Sequence, residues 1–233
     1  MNKIEVGQEM NFNIKQIEGF DIIYLNQLEK IDYFIKKNEE RKILLFGKNK
    51  NHITCHLEEN SSLLMIYVSK NSNDKVNIYL DGKNSNVSFY YRTINEFNEL
   101  NQEFNINVYH NNNNTISSLQ NHGVNLQNGS MKFYVNGIVD KNLKDVVCNQ
   151  VNQIVEMENG SSIIIPNLLI DTNEVIANHS AYISKFREEE LFYLQLRGIN
   201  KDDCYNLLKI NFVLSKLNIS EKLQEEIIKY FNF

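Results

Sequence analysis

Alternating apolar and polar positions run through the middle of the chain. Val76, Ile78 and Leu80 fall on one side of an extended segment. Asn77 and Tyr79 fall on the other side, and this period of two is typical of a β-strand with one buried face. Short runs of this strand-like character are predicted at Ile43–Phe46, Ile53–Leu57, Leu63–Val68, Val76–Leu80, Val87–Arg92, Phe104–Tyr109, Met131–Val135 and Ile163–Ile165.

Polar turn clusters separate these runs, and a strand every 10–12 residues or so is typical of a sandwich, a barrel or a solenoid. Asparagine supplies most of the turn chemistry, because it tolerates the left-handed backbone region and bonds to its own backbone. Asn-Gly-Ser turns at 128–130 and 159–161 each precede an apolar strand, and hairpin signals are scarce beyond Asp81–Gly82. A solenoid tolerates such irregular corners, yet the pattern alone leaves a β-helix and a sandwich equally open.

Both ends of the chain depart from the strand pattern. Leu25, Leu28, Ile31 and Ile35 recur at helical spacing, so one short helix is predicted near residues 25–37.

The C-terminal part carries the signals of two or three helices. The three glutamates Glu188–Glu190 suit the first turn of a helix, and Gly198 ends that helix. Asn200 and Ser220 are positioned as N-caps of the next two helices. The predicted organisation is a short N-terminal segment with one helix (1–40), a β core (41–185) and a helical subdomain (186–233).

Composition narrows the class of protein. The chain has 233 residues and a net charge of −5 with interspersed signs, which argues against a nucleic-acid-binding face. Neither a transmembrane run nor the apolar core of a signal peptide is found, so a cytoplasmic location is expected. Three scattered cysteines argue against a disulfide framework and fit a reducing compartment.

Local motifs give little sign of catalysis. His52, Cys55 and His56 suggest zinc, but on a strand the two histidines lie ~13 Å apart on one face and the cysteine points to the other. Cys148 and Cys204 are interpreted as core residues, although a thiolate at Cys148 would be able to bind iron or carry sulfur. The phosphate-binding loop and common hydrolase motifs do not occur, so ATP hydrolysis would have to come from another subunit.

Residues 163–199 hold an ordered run of uncommon combinations: a proline and a leucine, an acidic residue, Val-x-x-x-His, small residues, and a Leu-Phe-Tyr-Leu-x-x-Arg-Gly-Ile helix end. This run resembles the SufB/SufD family of iron–sulfur cluster assembly scaffold proteins. The matching residues are Pro166, Leu168, Asp171, Val175, His179, Ala181, Leu191, Phe192, Tyr193, Leu194, Arg197, Gly198 and Ile199. A looser match extends the resemblance to about residues 105–215 through His110, Asn114, Thr115, Gly129, Phe133, Gly137, Ile138 and Gln150.

The resemblance implies a mainly β fold: a right-handed parallel β-helix with a C-terminal α-helical subdomain. It implies a non-catalytic scaffold that pairs with a SufB-type subunit and docks a SufC-type ATPase on its tail. No cofactor is expected on this chain alone, and an iron–sulfur cluster is expected only transiently in the complex. The family is usually longer at its N-terminus, so the chain resembles a shortened, SufD-like member. Two alternatives remain open: a β-helix carbohydrate-active enzyme, and a homodimer that acts with SufC alone.

The resemblance also implies a candidate site at His179, at the interface with SufB, where its imidazole would help to bind a nascent cluster. The alternative is a hydrogen-bonded histidine that closes the last coil. Some SufD-type proteins have a cysteine where this chain has Ala177, and SufB-type proteins have a glutamate where it has Ser180. SufB is therefore expected to supply the main ligands.

The helical tail is expected to pack on the end of the β-helix and to leave apolar surface for SufC. A cap without a partner is the alternative for any single residue. The predicted partner-binding residues are Phe192, Tyr193, Arg197, Gly198, Leu207 and Phe212.

Overall fold

The computed structural model describes residues 5–6, 14–25, 29–95, 101–126, 128–157 and 159–233. Within these ranges lie thirteen strands and three helices. In chain order they are β1 (Glu5–Val6), β2 (Lys15–Ile17), β3 (Phe20–Leu25), β4 (Glu29–Ile35), β5 (Glu40–Leu57), β6 (Ser62–Leu80), β7 (Asn86–Asn95), β8 (Asn101–His110), β9 (Ile116–Asn125), β10 (Ser130–Val139), β11 (Val146–Glu156), β12 (Ser161–Ile170), β13 (Val175–Ser184), α1 (Glu188–Leu196), α2 (Lys201–Leu214) and α3 (Glu221–Phe231).

The strands wind into a coil with two faces. The front face consists of β3, β7, β9, β11 and β13 with the N-terminal halves of β5 and β6. The back face consists of β4, β8, β10 and β12 with the C-terminal halves of β5 and β6. All pairings within the two faces are parallel, and among the described strands only β1–β4 and β2–β3 are antiparallel. The predicted parallel β-helix is confirmed and the antiparallel sandwich is excluded, while the handedness of the coil stays a prediction.

The helix predicted near residues 25–37 is wrong. β3 and β4 form a first coil instead, and both pair in register with β5. Ile31, Tyr33 and Ile35 are all buried, which is the alternation of a strand. Residues four apart share a side in a strand as well as in a helix, so the spacing of Ile31 and Ile35 fits both. Leu28 lies outside the described residues, and the β core begins with β3 rather than at residue 41.

A ladder of asparagines forms one corner of the coil. The side-chain amide of Asn60 donates to Asn38 over 3.0 Å, that of Asn84 donates to Asn60 over 2.8 Å, and that of Asn114 donates to Asn84 over 3.1 Å. All four residues have φ between 56° and 60°, which asparagine tolerates better than most side chains. The bonded asparagines are 22, 24 and 30 residues apart, so the same contact is kept although successive coils contain more residues.

The same corner requires a glycine. A Cβ on Gly82 would lie 2.0 Å from the backbone nitrogen of Glu59 in the preceding coil, closer than real contacts allow. The Asp81–Gly82 turn therefore marks a close approach between two coils rather than a hairpin.

α2 and α3 lie across the front face of the coil and do not close its end, so the predicted end cap is wrong. α2 and α3 cover a row of apolar side chains that point outward from the first coils. This second core contains Phe20, Ile22, Leu44, Phe46, Ile66, Val68, Ile94 and Val124 from the strands, with Val213, Leu217, Leu223, Ile227 and Phe231 from the tail. Among the described helices, none has the length and apolar character needed to cross a bilayer.

Candidate functional site

The C-terminal end of the coil is open. β12 pairs only with β10, and β13 pairs only with β11, so one edge of each strand is unpaired within the described residues. The chain's single proline, Pro166, lies on β12, in keeping with the preference of proline for edge strands. Leu169, Ile176 and Tyr182 on these strands are 57%, 64% and 61% exposed. Unpaired edges with exposed apolar side chains suit strand pairing with a partner.

His179 lies on β13 in a row of residues that faces the interior. Its row continues through Gln150, Leu119 and Phe89 on the neighbouring strands, and all three are buried. In-register parallel strands keep a row on one side of the sheet, so His179 is on the inward side of the last strand. The residue is nevertheless exposed, because in the described structure nothing is stacked on β13. The predicted site residue therefore lies at the mouth of the coil.

The floor below His179 is polar, unlike the apolar interior of the first coils. Asn121 donates its side-chain amide to Asn152 over 2.7 Å, and Asn152 donates to the carbonyl oxygen of Ser180 over 3.2 Å. Oε1 of Gln150 and Oδ1 of Asn121 are buried and accept no hydrogen bond from the described residues. Buried polar oxygens of this kind favour polar neighbours over hydrocarbon at the mouth.

Cys148 occupies the adjacent inward row, between Ser117 on β9 and Ala177 on β13. Its side chain is fully buried, and burial raises the pKa of the thiol. The sulfur lies against Gly137, where an added Cβ would be only 2.5 Å from Sγ. A buried thiol with a raised pKa is a poor nucleophile, so the structure supports the interpretation of Cys148 as a core residue.

The histidines and cysteine of β5 do not converge. His52 Nε2 accepts from the amide of Asn77 over 3.1 Å, and His56 Nδ1 donates to the Asp81 carboxylate over 2.7 Å. Cys55 is buried on the opposite side of the strand, as predicted. Within the part of the chain that the structure describes, no three His, Cys, Asp or Glu side chains are arranged to hold a metal ion.

The tail presents an apolar surface on α1. Phe192, Tyr193 and Leu196 are 62%, 54% and 70% exposed, and no residue of α1 is buried. Arg197 lies with its guanidinium 4.5 Å from the centroid of the Tyr193 ring and also donates to the Tyr193 hydroxyl. Gly198 has a φ of +82° and ends the helix, as predicted. Leu207 on α2 is also exposed.

Phe212 is better assigned to the core than to a docking surface. Its ring stacks on His122 of β9 with 4.8 Å between ring centroids. Its carbonyl oxygen accepts a hydrogen bond from His122 Nδ1 over 3.1 Å. The residue packs between α2 and the front face, so it is left out of the proposed docking surface.

Arg92 is the structural residue that sequence reasoning missed. Its side chain is fully buried and donates to the carbonyl oxygens of Val213 at 2.7 Å, Ser215 at 3.0 Å, Tyr91 at 2.9 Å and Gln120 at 2.7 Å. Burial lowers the pKa of the guanidinium to about 9, so it stays charged at neutral pH. The available signal was a charged residue inside an otherwise apolar strand run, since such residues are seldom fully buried without partners.

The described structure is thus a β-helix with an open strand edge and an exposed helix, α1. A family model described as "SUF system FeS cluster assembly, SufBD core domain" matches residues 23–212. The chain belongs to this family, which connects it with iron–sulfur cluster assembly. An iron–sulfur cluster assembly SufBD family protein of Mycobacterium leprae (strain TN) is 34% identical over 77 residues. That match covers 31% of this chain and 20% of the relative, so it spans about a fifth of the relative's length.

Proposed function

We propose that this chain is a SufD-type scaffold subunit that acts without catalysis of its own in the assembly of iron–sulfur clusters in the cytoplasm. The cluster is its cargo rather than a resident cofactor. The observation that carries the proposal is the open end of the coil, which combines two unpaired strand edges with an accessible inward-facing histidine at position 179.

A SufB-type subunit is the partner proposed for the open end. Its own strands would continue the front and back faces by pairing with β13 and β12, and their outward side chains would lie beside Ile176 and Tyr182. The imidazole of His179 offers one ligand to iron, and the small side chains of Ala177 and Ser180 add none of comparable strength. Thiolates from the partner would complete the set.

The arm formed by α1 is the proposed docking site for a SufC-type ATPase. Phe192, Tyr193 and Leu196 give it an exposed apolar side, and such a helix suits a groove in a partner. Binding of ATP would close the ATPase, move the tail and change the interface at the open end.

The first experiment tests the open end. We expect anaerobic co-expression with SufB-type and SufC-type subunits to give a complex that holds iron and sulfide. His179→Ala should lower both contents without preventing assembly, whereas His52→Ala, on the outer surface of the first coils, should not. Equal iron and sulfide in the His179→Ala complex would contradict the assignment. The mass of the purified complex separates a SufB partner from a second copy of this chain.

The second experiment tests the arm. Phe192→Ala combined with Tyr193→Ala should abolish co-purification with the ATPase, because both side chains are exposed and their loss leaves the core intact. Phe34→Ala, at an exposed aromatic residue of the first coil, is the control. Deleting residues 186–233 would not be informative, since it would strip the cover from the front face. Unchanged co-purification of the double variant would overturn the docking assignment.

A further inference from the structure

The tail consists of an arm and a base that are held very differently. The arm is α1, which buries none of its residues. The base is the end of α2 together with α3, residues 211–231. It buries Val213, Leu217, Leu223, Ile227 and Phe231 against the front face. α1 also follows β13 directly through residues 185–187, so a force applied to the arm reaches β13 through that link and the rest of the front face through the base.

Two side chains of the front face form hydrogen bonds with the end of α2 at this base. Arg92 on β7 donates to the carbonyl oxygens of Val213 and Ser215 over 2.7 and 3.0 Å. His122 on the neighbouring strand β9 donates to the carbonyl oxygen of Phe212 over 3.1 Å and stacks on its ring. Arg92 and His122 are register partners, so the two side chains that bind α2 are neighbours on adjacent strands.

The chemistry of a helix end explains why an arginine stands here. The last carbonyl groups of a helix lack donors within the helix, and the C-terminal end carries partial negative charge. A guanidinium supplies several donors in a fixed plane, so one side chain can satisfy two of these carbonyls together with two others on the coil. Lifting α2 would leave the buried charge of Arg92 with only Tyr91 and Gln120 as acceptors.

Arg92 lies in the middle of the front face, three strands from β3 and three strands from β13. Arg92 bonds to the backbone of β7 at Tyr91 and of β9 at Gln120, and it thereby joins two strands of the front face. The row of Arg92 continues in register through His122 and Gln153 to Tyr182 on β13. The base is thus attached to the same sheet whose last strand carries His179.

We propose that Arg92 is a positioning residue that couples the helical tail to the β-helix, so that displacement of the arm by a docked ATPase is delivered to β7 and β9 in the middle of the front face. The inference rests on the proposed function, because it takes the arm as the docking site of that ATPase. Arg92 itself contacts neither the cluster nor the ATPase in this scheme.

Hydrogen exchange of the full chain, alone and in complex with the SufC-type ATPase and the SufB-type subunit, tests the coupling. In the free chain, Arg92→Gln should speed exchange at the end of α2 by about tenfold or more, because charge-assisted bonds are lost. In the complex, the change in exchange of β7 and β9 on addition of ATP should be lost, while the ATPase still co-purifies. Arg41→Gln is the matched control, since Arg41 on β5 pairs with Glu39 and Asp21 outside the tail.

The outcomes separate the two proposals. Failure of the unchanged chain to bind the ATPase would refute the docking assignment whatever Arg92 does. Normal binding with an undiminished response of β7 and β9 in Arg92→Gln would overturn the coupling and leave the docking intact. A role confined to stability would speed exchange throughout the coil and leave the ATP response in place. Should Arg92→Gln fail to fold, Arg92→Lys keeps the charge but loses the planar fork, and a weakened ATP response is expected from it.

Discussion

Gly137 and Cys148 are predicted to be coupled, and the coupling is measurable. A methyl group on Gly137 would lie 2.5 Å from Cys148 Sγ, 3.1 Å from Gln150 Nε2 and 3.2 Å from Leu168 Cδ2. Cys148 is fully buried, so its sulfur cannot turn out into solvent. Gly137→Ala is therefore an overpacking change at the sulfur, and Cys148→Ala removes the atom with which the methyl group collides.

The expected magnitudes follow from this geometry. Overpacking of a close-packed interior costs roughly 1–3 kcal/mol, so Gly137→Ala should lower the free energy of unfolding by about 2 kcal/mol. Cys148→Ala alone removes one buried sulfur and should cost roughly 1–2 kcal/mol. In the double variant the new methyl group occupies the space that the sulfur vacates. Its stability should match or exceed that of Cys148→Ala, which gives a coupling energy of about 2 kcal/mol.

Urea unfolding under reducing conditions gives the free energy of unfolding of the unchanged protein, the two single variants and the double variant. Thermal unfolding provides a second measure, because 1 kcal/mol corresponds to roughly 2–4 °C in a chain of this size. Additive losses in the double variant would refute the reasoning. They would mean that the neighbours of Gly137 adjust without involving Cys148.

Three further predictions concern stability and can be checked by urea unfolding. Asn84→Ala should lower the free energy of unfolding by about 2–3 kcal/mol, because it loses two ladder bonds and places alanine in the left-handed region. Asn84→Gly loses the same bonds without the backbone strain and should cost about 1 kcal/mol. Equal losses in the two variants would contradict the contribution from backbone strain. Burial lowers the pKa of His110 to about 4, so the native state resists protonation and stability is lost as the pH falls from about 6.5 toward 4. As the pH falls across that window, the unchanged protein should lose up to about 3 kcal/mol of stability relative to His110→Gln. A difference in stability that does not depend on pH would refute this prediction. Asn200→Ala should cost about 1 kcal/mol because its side chain caps α2, whereas Ser220→Ala should be neutral because the Ser220 hydroxyl makes no cap bond.

The parts of the fold that were predicted correctly are those with simple local chemistry. The alternation around Val76 identifies a strand because its inward side chains are apolar and its outward ones are polar. The Asn-Gly-Ser turns precede β10 and β12, and their serines, Ser130 and Ser161, stack in register one coil apart. Asn200 caps α2 and Gly198 ends α1 as predicted, since a cap depends on a few neighbouring residues.

The parts that were missed depend on contacts between distant segments. β9 escaped prediction because its inward positions include Ser117 and Asn121, which find their partners inside the coil, so the apolar period is absent. The tail was predicted at the end of the coil, but it packs on the front face. Local sequence does not show that Leu44 and Phe46 point outward and are buried by the helices. Arg92 illustrates the same limit, since three of its four acceptors lie 28, 121 and 123 residues away in sequence.

The resemblance named His179 and residues of α1 as candidates, but it gave nothing of their surroundings. The polar floor at Gln150 and the placement of His179 on the inward row depend on the register between β11 and β13, which local sequence does not determine. Phe212 was taken for a docking residue because an aromatic residue on a helix looks the same whether a partner or the protein's own sheet covers it.

Because each step of the asparagine ladder joins one coil to the next, a β-helix of this kind can be lengthened by the insertion of a whole coil. Each step joins the same kind of side chain at the same corner, whether 22, 24 or 30 residues intervene. Extra residues can therefore be accommodated away from that corner, and a duplicated coil would find the same stacking partners above and below. A chain lengthened in this way would keep the same terminal strands, β12 and β13, at its open end.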